Sequence, residues 1–532
     1  MNNKVLKGAA IIGIAGVIVK FLGVFFRIPV TNWLGADGMA YYGYAYTIYG
    51  ALVVLATAGL PVAISRLVSE SIAVKQYKNA HKIFRVSMII MLIMGAVLFL
   101  ICFFGAGPLT SLMGNAKAAP AVRAIAPALI FVPLLSAMRG YFQGRQNMNP
   151  TALSEITEQM VRIIVGLILA YTLLPKGLVT AAAGASFGAT VGSLAGLALV
   201  FFIYMLNKPV INHKIRKHSQ DVQDTKQIVR NIIIIAIPII IGSEIMPIMN
   251  MADTGIIMRR LQSTGFSFDE AKHLYGLISS YCSTLIGFPQ IFTQAVAISL
   301  VPAIVRAFAI SDKKAVHDNV SLGYRLTMLL AFPCAFGIFA LAKPILTLLY
   351  PAKPIEVDEA TTTMMVMSIG IIGLALSQTS TGILQAIGKQ VLPVKHIIIG
   401  MIVKIILTYI LVGINSLNIK GAALSTLVAY TISFILNNMS VRKYTGANID
   451  YMLTYVKPCL ASAIMGGVVF GIYKLMRFGI GNTVSTFFAI LCGVIVYAAL
   501  VIFLRIVTPS ELETVPMGAK LNRLIRKFIR WE

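Results

Sequence analysis

Lys20 and Arg27 stand inside the first apolar stretch of the chain, residues 8–30. About 20 apolar residues at ~1.5 Å each cross a bilayer core of ~30 Å, so this stretch is long enough to span one. A cation near the middle of such a helix costs about 2.5–3.5 kcal/mol on insertion scales and turns toward protein or water. Gly16, Lys20, Gly23 and Arg27 follow i, i+4, i+7, i+11 and share one stripe of a helix. Two cations on a glycine-lined stripe point to a water-filled cavity that receives an anion. Snorkelling to a headgroup layer is the competing reading, stronger for Arg27 near the helix end than for Lys20. A pyrophosphate suits the pair, because Arg offers a fork of donors and Lys a compact charge.

Other charged residues recur within apolar segments. Arg139 shares a helical face with Gln143, and Glu155, Glu158 and Arg162 share another, with Glu158 and Arg162 at pairing distance i, i+4. These residues are either substrate contacts or an interfacial salt-bridge network. Arg162 has an approximate counterpart in Lys404, so both halves of the chain carry a cation in corresponding segments. Arg66 and Glu70, again at i, i+4, close the second segment as an inner gate or an ordinary interfacial pair. Glu244 and Asp253 flank Pro247, which is expected to interrupt its helix, as at transporter sites. The two acids are nine residues apart and face opposite ways on a regular helix. Each is a separate candidate for proton or sodium coupling, or a satisfied contact between helices.

The remaining chemistry is excluded by pattern. There is no P-loop, HExxH or GxSxG in a suitable setting, so no catalytic residues are assigned and the chain is not expected to be an enzyme. The five cysteines lie in or beside apolar runs without CxxC or Cys/His spacing, and the six histidines never pair at ligand spacing. No metal, disulfide framework or organic cofactor is expected. A net charge of +26 in a soluble chain would point to nucleic acid. Here it reads as the positive-inside bias of a membrane protein.

These residues need helices to position them. Of 532 residues 58% are hydrophobic and 12% charged, with a mean hydropathy of +0.84, against about 25% charged in soluble domains. Apolar windows give fourteen candidate spans: 8–30, 41–65, 83–104, 121–142, 152–174, 178–206, 228–258, 274–305, 320–342, 360–387, 392–413, 419–441, 453–475 and 484–506. The fold class is an all-α polytopic membrane protein. The first span lacks a small-residue cleavage site and reads as a retained helix. With both termini cytoplasmic, that side holds 29 of the 45 Lys and Arg and the opposite side 11, which supports an even number of spans.

The chain also repeats. Tyr42-Gly43 precedes Val62-Ala63-Ile64-Ser65 as Tyr275-Gly276 precedes Val296-Ala297-Ile298-Ser299. Gly140 through Gln143, then Pro150, match Gly382 through Gln385, then Pro393. Six spans separate the copies, so they share an orientation, a parallel repeat with substrate held between the halves. The expected division is a six-helix bundle at 1–206, a cytoplasmic connector at 207–227, a second six-helix bundle at 228–441, helices 13 and 14 within 442–509, and a basic amphipathic tail at 510–532. That tail reads as lying on the anionic leaflet.

The run Leu22-Gly23-Val24-Phe25-Phe26-Arg27-Ile28-Pro29, then Leu34-Gly35-Ala36-Asp37-Gly38, then Thr57 through Glu70 (TAGLPVAISRLVSE) resembles one known family. It is the polysaccharide-export branch of the multidrug/oligosaccharidyl-lipid/polysaccharide (MOP) flippase superfamily, near the stage V sporulation protein B and MurJ-type lipid II flippase group. The resemblance implies two six-helix bundles around a V-shaped cavity and two added helices forming a lipid-binding groove. It also implies alternating-access flipping of an undecaprenyl-pyrophosphate-linked sugar or muropeptide across a bacterial cytoplasmic membrane. It assigns Lys20 and Arg27 to the cavity. MurJ-type proteins often carry an acid directly after the second cation, where this chain has Ile28. That departure leaves other lipid-linked glycans open; the resemblance makes the peptidoglycan precursor the leading substrate, with another lipid-linked polysaccharide or ion-coupled drug antiport as alternatives. Expected partners are the lipid-linked oligosaccharide or muropeptide, membrane lipids and cell-wall synthesis proteins, and no nucleic acid.

Overall fold

The computed structural model describes residues 3–217 and 222–507, with side chains described from residue 11 onward except at 217 and 298. The regular elements among them are helices throughout, as the apolar runs require, because a chain in lipid must satisfy its backbone groups internally. The tail at 510–532 lies outside the described residues, as does part of the connector.

Two compact units divide the chain, Met1–Thr284 with Ile405–Ala422, and Leu285–Lys404 with Ala423–Glu532. In chain order the first contains α1 (Asn3–Thr57), α2 (Leu60–Ala73), α3 (Tyr77–Phe104), α4 (Ala106–Leu112), α5 (Ala119–Ile125), α6 (Ala128–Gly144), α7 (Asn149–Leu173), α8 (Leu178–Lys217), α9 (Thr225–Ser263) and α10 (Phe268–Gly276). A π-helical turn, Leu277–Cys282, leads into α11 (Ser283–Ala309). Then follow α12 (Lys313–Ala340), α13 (Ala342–Leu349), α14 (Pro354–Ala386), α15 (Val391–Val412), α16 (Ile419–Thr445), α17 (Lys457–Ile480) and α18 (Asn482–Phe503). The first unit thus runs past the polar connector into residue 284, and it includes the end of α15.

Among the described residues thirteen helical stretches are long and apolar enough to cross a membrane, and the first, Ile11–Ala73, has 63 residues. At 1.5 Å per residue it would measure roughly 95 Å, about three bilayer cores. Gly35 breaks it, with φ 64° and ψ −174°, a conformation open essentially to glycine alone. The stretch therefore holds two crossings, in agreement with the count of about fourteen. A second break comes at Ala58-Gly59, inside the expected 41–65 helix, where Pro61 opens α2 within its first turn. α8 continues to Lys217 through the start of the expected connector.

Small residues set the packing that positions the charged faces. Gly184, Gly188, Gly192 and Gly196 form a one-per-turn stripe on α8. A Cβ on Gly188 would lie 2.7 Å from the Arg162 carbonyl oxygen, and one on Gly192 2.5 Å from that of Glu158. The α8 backbone therefore rests directly on α7, the small-residue interface typical of membrane helices. Buried side chains gather into one cluster around Leu60, Ile64, Phe84, Tyr141 and Ile232 in the first unit, with Phe84 stacked on Tyr141 at 4.4 Å. In the second unit Tyr324, Met328 and Ile371 anchor another cluster. There α18 is fastened by Tyr497, which donates to the Leu329 carbonyl (3.0 Å), and by Asn482, which donates to the Pro344 carbonyl (3.2 Å). Outward positions such as Phe478 and Leu475 are exposed apolar side chains, as a lipid-facing surface requires.

Candidate functional site

The cationic stripe lies on the first half of α1. Lys20 is exposed and Arg27 half-buried. Glycines at 13 and 16 have no neighbour within contact reach of an added Cβ, so the face opens toward the start of the helix, while Gly23 approaches the Gln159 side chain on α7. Arg27 Nη1 donates to Thr284 Oγ1 at 3.4 Å, a long bond to a neutral hydroxyl. Among the described residues Arg27 makes no ion pair.

α7 presents a second polar face. Arg139 Nε donates to Ser154 Oγ (2.8 Å), and its Nη2 pairs with Glu158 Oε2 (2.8 Å). The i, i+4 pair of Glu158 with Arg162 does not form; Glu158 reaches across to α6 instead. Arg162 turns to α1, stacking over the Tyr46 ring (4.7 Å) and donating to the Tyr42 hydroxyl (3.4 Å), with its Nε lacking a hydrogen-bond partner. Tyr42, Tyr46 and Tyr49 form a ladder with centroid spacings of 4.3 and 6.0 Å. Their i, i+4, i+7 spacing was legible in the sequence, but tyrosines among apolar neighbours do not announce a cationic partner. Lys404 is buried in α15, within the second unit.

A third assembly holds the bend of α1. Asp37 pairs with Lys272 (3.3 Å) and lies 3.7 Å from His273, and Lys272 also pairs with Asp269 (2.8 Å). Gly276 packs its bare Cα against the Ala36 carbonyl, closer than any side chain permits. α10 begins in a full capping box, Ser267 with Glu270, which fixes its first turn. The bend is thus clamped to the second half of α10. Sequence reasoning missed this contact because its partners are far apart along the chain.

The remaining candidates divide. Arg66 and Glu70 do pair, at 2.8 Å, on an exposed edge. α9 runs unbroken through Pro238 and Pro247, against the expected interruption, since each proline removes a single backbone bond. Glu244 and Asp253 therefore stay about 13 Å apart along one regular helix and do not form a joint ion site. Asp253 is buried and accepts from Thr408 Oγ1 (3.0 Å). Glu244 is buried with one carboxylate oxygen lacking a hydrogen-bond partner.

The sequence pattern described as polysaccharide biosynthesis protein matches residues 5–308, more than half of the chain and all of the cationic stripe. This chain belongs to that family. A second pattern, MatE, matches residues 278–410 and places it in the wider MOP superfamily of membrane transporters. An uncharacterized membrane protein of Bacillus subtilis (strain 168), YabM, is 30% identical over 98% of this chain and 96% of its own length. The lipid II flippase MurJ of the same organism is 26% identical, covering 91% and 90%. Among solved structures, lipid II flippase MurJ in an inward closed conformation aligns with a TM-score of 0.67 at 18% identity. That match covers 92% of this chain and 98% of the other, and it establishes the shared fold. Family membership makes the chain a multi-pass membrane transporter rather than an enzyme.

Proposed function

We propose that this transporter flips an undecaprenyl-pyrophosphate-linked glycan across the bacterial cytoplasmic membrane, with the peptidoglycan precursor lipid II as its leading substrate. The observation that carries the reading is the stripe itself. An exposed Lys20 and a half-buried Arg27 stand seven residues apart on one open helix face, and among the described residues Arg27 bonds a hydroxyl and no carboxylate. Such a face offers a diphosphate two positive contacts at little desolvation cost. The name of the Bacillus MurJ relative supports the same substrate class. Arg162 and Lys404 act as weaker contributors, one in each of two parallel repeats, and Arg139 contributes through its pair with Glu158. Both termini are cytoplasmic in this reading. Opening outward then requires the clamp of Asp37 on Lys272 to part, while Arg66 and Glu70 lie at the inner edge. Glu244 and Asp253 remain separate candidates for an ion that couples the cycle.

Reconstitution into proteoliposomes with a fluorescent lipid-linked precursor tests the reading. Translocation by the native chain, lowered roughly 100-fold in the Lys20→Ala/Arg27→Ala protein, is the expected result. Full-rate translocation by that variant would remove the stripe from the mechanism. Rescue of a strain depleted of its lipid II flippase identifies the glycan. Failure to rescue, with transport of another polyprenyl-linked saccharide, would move the assignment to that saccharide. The MatE match favours a drug antiporter as the second reading. A positively charged stripe repels cationic drugs, which argues against it.

A further inference from the structure

The far end of α9 carries a groove separate from the cationic stripe and from the α7 face. Its volume is about 550 Å³, within the ~300–1,000 Å³ of ordinary ligand pockets. Ala252 and Gly255 line it with little side chain, and a Cβ on Gly255 would already stand 3.6 Å from Met113. Ile248 and Ile256 line it along α9, and Met113 and Tyr409 line it from other segments. All of these residues belong to the first unit.

Two arginines, Arg259 and Arg260, close one end. Arg260 is built into place. Its guanidinium lies over the Tyr409 ring at 4.5 Å, Nε donates to the Tyr409 carbonyl (3.0 Å), and Nη1 donates to Ser263 Oγ (3.3 Å). A Cβ at residue 413 would stand 2.5 Å from Nη2, so Gly413 is what admits the group. The position at the end of α15 is favourable in itself, since the last carbonyls of a helix carry partial negative charge. Arg259 is exposed beside it. Neither arginine makes an ion pair among the described residues, so the groove ends in two uncompensated positive charges.

The dimensions identify what fits. From Ile248 to Arg259 the helix rises roughly 16 Å, about half of a ~30 Å hydrocarbon core. The groove is therefore one leaflet deep, apolar along its length and cationic at headgroup level. We propose that it is a binding site for an anionic phospholipid of the phosphatidylglycerol class. One acyl chain lies along Ile248, Ala252, Gly255 and Ile256, and the phosphate rests on Arg259 and Arg260. A zwitterionic lipid brings no net charge to the two arginines, and a polyprenyl chain is too long for the space. The site shares no residue with the proposed flippase path, so each stands or falls alone.

The test uses the purified full chain in phosphatidylcholine nanodiscs, titrated with phosphatidylglycerol and followed by native mass spectrometry and thermal unfolding. Retention of phosphatidylglycerol over phosphatidylcholine by about fivefold or more is expected, from the attraction of one or two surface cations. Arg259→Gln brings the preference to within about twofold of unity, and Arg259→Lys retains most of it. Gly255→Leu fills the groove and abolishes the phosphatidylglycerol-dependent rise in unfolding temperature. Equal retention of the two lipids would overturn the proposal, as would a preference unchanged in both Arg259→Gln and Gly255→Leu. Displacement of phosphatidylglycerol by polyprenyl phosphate at the native site, but not in Gly255→Leu, would reassign the groove to the carrier lipid.

Discussion

Arg27 and Arg139 are the same residue type within one compact unit, yet their surroundings differ in kind. Arg139 is held at two points, by Ser154 and by the carboxylate of Glu158, both at 2.8 Å. Arg27 makes a single 3.4 Å bond to a hydroxyl. A charge-assisted pair of Arg with carboxylate is short and strong, and it leaves little positive potential for a ligand. The contrast teaches that a cation in a membrane helix is not by that fact a substrate contact. What matters is whether the protein has already supplied its counter-charge. Arg139 thus reads as a fastener between α6 and α7, whereas Arg27 retains the capacity to hold an anion.

The largest effect expected from this contrast falls on transport. Replacing Lys20 and Arg27 together with alanine lowers translocation roughly 100-fold, about 2.7 kcal/mol of lost stabilisation. The unfolding temperature changes less than on breaking the Arg139 pair, because Arg27 strands no carboxylate among the described residues. Arg27→Lys keeps the charge and loses the fork, for an intermediate decline of about tenfold. Proteoliposome flux measured beside thermal unfolding separates the two quantities. A double variant that unfolds early instead of transporting slowly would place Arg27 with Arg139 among the fasteners.

Arg139→Ala should show the opposite balance. It leaves Glu158 partly buried without its partner, and a fully buried broken pair costs about 3–5 kcal/mol. The side chains here are 15% and 27% exposed, which reduces the expected loss to about 2 kcal/mol. Adding Glu158→Gln removes the stranded charge and recovers part of the stability, the coupling that a double-mutant cycle reads out. Should Arg139→Ala unfold like the native chain while transport collapses, the division between the two arginines would be wrong.

The placement of Glu158 depends in turn on α8. Gly192→Ala sets a methyl group 2.5 Å from the Glu158 carbonyl oxygen, so α7 and α8 must separate slightly. The expected cost is about 1.5 kcal/mol, in the range of overpacking a close interface. Cysteine cross-linking between α7 and α8, together with thermal unfolding, would register it. An unchanged unfolding temperature would show that the helices slide apart freely, and that the fastened face is looser than its short bonds imply.

How far these features could be read in advance follows from their range along the chain. The membrane-spanning helices are local: apolar runs announce them, and family membership bears out the fold. The stripe of Lys20 and Arg27 is also local, set by helical periodicity. Glu158 does join an interfacial salt bridge, one of the two readings its face allows, but helical spacing supplies Arg162 as a neighbour and says nothing of Arg139 on another helix. Pro247 misled for a similar reason, since a proline removes one backbone bond while the packing of α9 keeps the rest. The clamp of Asp37 on Lys272 depends on helices brought together by a bare glycine surface at Gly276, as the packing of α8 on α7 depends on Gly188 and Gly192. Such approaches leave only scattered glycines in the sequence, which a membrane helix carries for many reasons.

Arg66 and Glu70 give the comparison its weakest limit. Their 2.8 Å bond is as short as that of Arg139 with Glu158, but the side chains are 65% and 56% exposed. Solvent screens an exposed i, i+4 pair, whose contribution is about 0.3–0.5 kcal/mol. Arg66→Ala should therefore shift the unfolding temperature by less than the scatter between preparations, and salt should not enlarge the difference. If the pair belongs to an inner gate, the loss appears elsewhere. Accessibility of a cysteine placed at Ser69 to a membrane-impermeant thiol reagent would rise from the cytoplasmic side, with stability unchanged. Accessibility equal to that of the Ser69→Cys parent would leave Arg66 and Glu70 as an ordinary surface pair, showing that bond length without burial decides little.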